Sequence, residues 1–148
     1  MGRLLVGLTV VALAAGCGAG GESQPTTALL TDVTVEGKSV RFDFRSDPSA
    51  VRTGYERQVN ECGSGAPVRL QGAASLVVHF MPAASADLRG EQVVPTYTGP
   101  RRLAGPGPVL EAVKVCDFEV DLGWAIALDR RLPVHVERDD NAVVVNFG

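Results

Sequence analysis

Two arginine pairs, Arg101-Arg102 in "YTGPRRL" and Arg130-Arg131 in "LDRRLPV", concentrate positive charge in a chain with 14 basic and 17 acidic residues. Arginine forks bind carboxylates through paired hydrogen bonds. Aromatic rings such as Tyr97 and Trp124 stack on the apolar faces of sugars. Together these residues make a candidate surface for a glycan or a carboxylate-bearing ligand. The same residues also have a plainer reading, as turn arginines paired with Asp129 or Asp121 and a tryptophan in the core.

Other reactive residue types are sparse. His79 in "VVHFM" and His135 in "PVHVE" are far apart, have no partner at metal-ligand spacing, and belong to no H-E-x-x-H. His135 alternates with Val134 and Val136, which predicts a solvent-facing strand position. His79 shares a face with Val77 and Met81, which predicts a hydrogen-bonded core or edge histidine. Ser64 in "CGSG" lacks the spacing and the strand-to-helix context of a nucleophile elbow. Asp43, Asp117, Glu119 and Asp121 alternate along strands. Paired acids can hydrolyse glycosides, but solvated strand faces account for them more simply. No catalytic residue, metal or cofactor is expected, and the chain is not expected to be an enzyme. A net charge of −3 and a pI near 5.3 argue against a broad nucleic-acid footprint.

Three cysteines leave one over from any pair. Cys62 and Cys116 stand in the body of the chain, either bridged or as two separate thiols. A disulfide is expected; it would close a loop of about fifty residues and stabilise by about 4 kcal/mol in the chain-entropy model. Cys17 follows Arg3, an uncharged apolar run from Leu4 to Ala15, and Gly16. That is the layout of a signal peptide over 1–16. The run is too short to span a bilayer, which needs about 20 apolar residues.

"LAAGC" resembles the bacterial lipobox, with Ala14 where leucine is usual. The resemblance implies cleavage before Cys17, lipid on its thiol, and attachment to the membrane through that N-terminal lipid on the extracytoplasmic side. A chain whose lipobox is not used would be secreted. Residues 17–27 then form a lipidated cysteine and a Gly/Ser/Pro/Thr tether, and 28–148 the folded domain.

The candidate residues must be positioned by strands. "TDVTVEG" places Val33 and Val35 on one face. "KSVRFDFRS" places Val40, Phe42 and Phe44 on one face, with a turn at "EGK" between the two. "TGYERQVN" is a weaker strand, "ECGSGAP" a loop, "VRLQG" a short strand. "SLVVHFMP" is apolar on both faces and reads as a central strand. "AASADLRGEQVV" is a loop or one helical turn. "PTYTGPRRLAGPGPV" is a loop with at most a short extended piece. "LEAVKVCDFEVDLG" is a long strand, and "GWAIALDRR" is either strand or turn-rich. Strands at 132–138 and 142–147 flank a turn at Asp139-Asp140-Asn141. The sum is about eight short strands and no major helix, a small all-β sandwich or a partly closed antiparallel sheet.

"YTGPRRL", "EAVKVCDFEVDLGWAIALDRRLPVHV", "AVVVNF" and "LTDVTVEGKSVRFDFRS" together resemble the AMIN-like domain of actinobacterial lipoproteins, over nearly all of 29–148. "RTGYERQVN" departs from the family's usual wording after the opening strands, and the two later cysteines suggest a subgroup. The resemblance implies a β domain at the cell envelope that contacts peptidoglycan or another cell-wall polymer. A protein-interaction subunit of an envelope complex is the alternative, and a cell-wall hydrolase a more distant one. Tyr97, Arg101, Arg102, Trp124, Asp129 and Arg130 match the family's recurrent wording, which implies them as ligand-binding candidates. No catalytic motif transfers.

Overall fold

The alternation at Val33, Val35, Val40, Phe42 and Phe44 becomes an antiparallel hairpin. The computed structural model describes residues 25–148, so the expected signal segment, Cys17 and the tether as far as Gln24 lie outside the described residues. Strand β1 is Ala28–Glu36 and β2 is Ser39–Phe44, paired with Val33 opposite Phe42 and Val35 opposite Val40. Gly37 makes the turn in the left-handed region, at φ 49°. Then follow β3 (Ala50–Glu56), β4 (Ala74–Met81), β5 (Ala83–Ala84), β6 (Ala86–Asp87) and β7 (Val94–Pro95). The chain ends with β8 (Arg102–Ala104), β9 (Val109–Phe118), β10 (Asp121–Leu128), β11 (Val134–Asp139) and β12 (Ala142–Phe147). Among the described residues there is no helix.

The strands form two five-stranded sheets, ordered β11-β12-β2-β1-β5 and β3-β4-β10-β9-β8, with β6 and β7 as a separate pair. The sheets face each other as a sandwich. Phe42 and Phe44 from the first sheet meet Phe80 and Trp124 from the second. Ring centroids lie 4.8 Å apart for Phe42–Phe80, 5.1 Å for Phe44–Phe80 and 5.8 Å for Phe42–Trp124. Tilted and edge-on rings at these separations add to burial, which itself contributes about 1.5–3 kcal/mol per large apolar side chain.

The second sheet is covered on both faces. Along β10, Leu122, Trp124, Ile126 and Leu128 point into the sandwich, and the small residues Gly123, Ala125 and Ala127 point outward. The outward face lies under the segment 57–73. There Val59, Val68 and Leu70 pack with Val77, Val113, Val115 and Ala125 in a second apolar cluster. Such a satellite cluster under a long loop is a recognised packing form. It explains why "GWAIAL" is apolar without alternation and is nevertheless strand.

"VRLQG" is not a strand. Val68 donates its N–H to the Val59 carbonyl at 2.8 Å, and Asn60 bridges Pro67, so the segment folds back on itself as a covering loop. "AASADLRGEQVV" contains no helical turn; it supplies the two-residue strands β5 and β6 and the start of β7. The extended piece in "PTYTGPRRLAGPGPV" is β8, preceded by Pro95 at the end of β7.

Candidate functional site

The covering loop is fastened at both ends, and the fastenings use the residues whose chemistry the sequence singled out. Cys62 and Cys116 form a disulfide with Cα atoms 5.1 Å apart. Next to it, Cys62 donates its N–H to the Val115 carbonyl at 3.2 Å. Arg101 pairs with Glu61 and donates from Nε to the Lys114 carbonyl at 2.9 Å. Its guanidinium and the Ser64 hydroxyl hold the Glu61 carboxyl below the usual carboxylate range, the Arg101 hydrogen bond being the larger cause.

Arg102 reaches Glu111, which alternation places on the outward face of β9 beside Val113, and donates to the Arg69 carbonyl at 3.1 Å. The Glu111 side chain is 2% exposed, against 48% for Arg102. Its other oxygen accepts the Gln71 N–H at 2.8 Å. A buried carboxylate needs such partners, because an unpaired charge in the interior is very costly. Just beyond, Gly72 sits at φ 81°, and a Cβ there would lie 2.2 Å from the Leu128 carbonyl oxygen. Only glycine lets the loop return to β4 so closely.

Tyr97 and Trp124 do not join this surface. Tyr97 is 7% exposed and Trp124 fully enclosed, and their rings meet edge-on at 5.7 Å inside the core. Burial, then the nearby Asp32 charge, push the Tyr97 hydroxyl pKa up, and that hydroxyl donates to the Pro100 carbonyl at 2.8 Å. The Trp124 indole N–H is buried without a partner among the described residues. In place of a sugar-stacking platform, the two rings tie the "YTGP" turn to the core. Arg130 lies apart at the surface, 3.1 Å from Asp129, as the plainer reading of that pair expects.

Two clefts flank the covering loop, and Val68 borders both. The larger, about 550 Å³, runs beside edge strand β3, with Tyr55, Arg57, Gln58, Ser75 and Arg131 among its lining residues. Arg131 stacks on the Tyr55 ring, 4.5 Å from its centroid, and the Tyr55 hydroxyl donates to the Leu132 carbonyl at 2.7 Å. The smaller cleft, about 290 Å³, is lined by Arg69, Arg101, Arg102 and Glu61. Five arginines thus rim two clefts that share Val68 in a net acidic chain. Arg131 belongs to a pair that the sequence singled out, whereas Arg57 and Arg69 escaped because the loop that carries them has no periodic pattern.

On β4, which lies between β3 and β10, His79 Nδ1 is 2.8 Å from Asp121 Oδ1, so the histidine expected to be hydrogen-bonded in the core or at an edge has a carboxylate partner. The pair corresponds to a base and its orienting acid. Among the described residues no hydroxyl or thiol hydrogen-bonds the other ring nitrogen, and the Cys116 sulfur across Gly123 is bridged. Among the described residues, no group of three or more His, Cys, Asp or Glu could hold a metal, and no helix is long and apolar enough to cross a membrane.

A family model for the AMIN-like domain matches residues 31–148. No curated protein and no solved structure matches the chain.

Proposed function

Because this chain belongs to the AMIN-like domain family, we propose that it is a binding module of the cell envelope. In this reading it is held at the membrane by a lipid on Cys17 and contacts an acidic cell-wall polymer of the peptidoglycan type. It binds without catalysis. The observation that carries the proposal is the arginine rim of the covering loop, Arg57, Arg69, Arg101, Arg102 and Arg131 beside two open clefts. Arg69 and Arg57 present guanidinium forks suited to carboxylates. The apolar floor of Val59, Val68 and Leu70 suits the carbon faces of sugar rings or short aliphatic side chains. The Cys62–Cys116 disulfide supports a place outside the cytoplasm, where such bonds persist.

The test is cosedimentation with purified cell-wall sacculi. Arg101 and Arg102 hold the fold together, so the informative variants are Arg57→Ala, Arg69→Ala and Arg131→Ala. Wild type is expected to bind at low salt, and the triple variant to lose about tenfold or more in affinity, as loss of charge-assisted hydrogen bonds implies. Failure of wild type to bind, or binding indifferent to all three changes, sinks the proposal.

A further inference from the structure

The end of the sandwich opposite the larger cleft is apolar and exposed. Leu88, Val93 and Val94 stand 59%, 65% and 54% exposed at the tip formed by β6 and β7. Phe118, 58% exposed, and Val120 stand at the turn joining β9 to β10. That turn carries two consecutive left-handed residues, Glu119 at φ 49° and Val120 at φ 58°. Turns of this kind favour Asn-Gly, and a β-branched residue at positive φ is strained. Backbone strain that presents an apolar side chain to solvent points to a surface with a use. The Val120 carbonyl accepts the Ala83 N–H at 2.8 Å, fixing the turn beside the other tip.

The described chain begins at this end. Pro25 lines a cleft of about 330 Å³ with Leu88, Arg89 and Val120. Eight chain steps separate Pro25 from Cys17, a reach of at most about 28 Å when fully extended. A lipid on Cys17 would therefore hold these side chains within reach of the bilayer surface. We propose that Leu88, Val93, Val94, Phe118 and Val120 form a lipid-docking end that seats the sandwich on the membrane. This rests on the anchored reading above.

The charges at this end include Asp87, Arg89, Glu91 and Glu119, with Arg45 near Asp87; the cations beside Phe118 are already paired, Arg101 with Glu61 and Lys114 with Asp117 at 3.2 Å, as is Arg89 with Asp87 at 2.7 Å, so acids are in excess. They give no attraction to anionic headgroups. The contact is apolar and gains from the local concentration that an anchor provides. It is therefore insensitive to salt.

The full chain, purified from membranes and reconstituted in phosphatidylcholine vesicles, is compared with Leu88→Ser/Val93→Ser/Val120→Ser by amide hydrogen exchange. Mass spectrometry of the N-terminal peptide first reports whether Cys17 is acylated. Unchanged Trp124 emission reports that the variant is folded. Wild type is expected to exchange about tenfold more slowly than the variant over 86–95 and 117–121, equally at about 0.05 and 0.5 M salt. Equal exchange in the two acylated proteins overturns the docking end and leaves the anchor standing. An unacylated Cys17 overturns the anchor alone; docking is then read with Cys17 coupled to a maleimide lipid, with the same two outcomes. Protection that rises with surface density and yields crosslinks between copies through 88–94 assigns the surface to a second copy and overturns lipid docking.

Discussion

At the scale of single residues, the two arginine pairs that look alike in sequence do different work. Arg102 satisfies a buried carboxylate, whereas Arg130 meets Asp129 in solvent. Removing one partner of a buried pair strands the other, and removing one partner of an exposed pair costs little. Arg102→Ala is expected to lower unfolding free energy by about 2–3 kcal/mol, reduced from the fully buried case by the half-exposure of the guanidinium. Arg130→Ala should fall within about 0.5 kcal/mol of wild type. Urea unfolding followed by the emission of Trp124, the single tryptophan, measures both; equal losses would refute the distinction. Glu111→Gln should cost less than Arg102→Ala, because glutamine keeps an acceptor for the Gln71 N–H and the charge left unpaired is the half-exposed Arg102 guanidinium and not a buried carboxylate. The sequence did carry a sign of Glu111, an acid that alternation puts on one face with Val113, Val115 and Asp117. Nothing in it distinguished Trp124 in the core from Trp124 at a surface, since a strand residue buries either way until its partner sheet is known.

Among the elements, strands with one wet face were legible, and those with two covered faces less so. β2 alternates cleanly because Arg41 and Asp43 line its outer side, where Arg41 bonds Asp43 at 3.0 Å and Asp139 at 3.1 Å. β10 shows no period because the loop 57–73 replaces water on its second face. The loop itself was unreadable beyond its glycines and Cys62, because its order comes from tertiary fastenings. Those fastenings predict that it opens separately from the sandwich. The disulfide joins residues 54 apart, worth about 4 kcal/mol in the chain-entropy model. In Cys62→Ser/Cys116→Ser, amides of 59–71 should exchange through local opening, while β4 and β10 amides still wait for global unfolding. Acid should widen the gap. The Glu61 pKa is lowered by Arg101 and Ser64, so its contribution is complete above the ordinary glutamate value of about 4.3 and is lost as pH falls through the lower folded value. The protection of 59–71, taken relative to the intrinsic exchange rate at each pH, should therefore fall below about pH 4. If the loop and β10 exchange together at every pH, the loop is not a separate unit.

For the whole molecule, local pattern found most of the long strands but ran "LEAVKVCDFEVDLG" through the Glu119-Val120 turn that separates β9 from β10, and it could not order the strands. β1 pairs with β5 in parallel, β2 with β12 and β4 with β10, and none of these pairings follows from adjacency. That order has a functional consequence. β10 runs from Asp121, beside the apolar turn and the start of the described chain, to Leu128, beside the larger cleft. Eight strand residues span about 25 Å, so Arg57 and Arg131 at the larger cleft lie away from the end that a lipid would hold, while Arg101 lies nearer to it, in a cleft with Phe118. A domain seated by Phe118 and Val120 would then present Arg57 and Arg131 outward, toward a polymer beyond the membrane. Binding of soluble cell-wall fragments to vesicle-anchored protein should accordingly match binding to the unanchored chain within about twofold, less than 0.5 kcal/mol. Titration of both forms with the same fragment preparation checks this. An anchored form weakened by tenfold or more would place the rim against the bilayer and reverse the orientation inferred from β10.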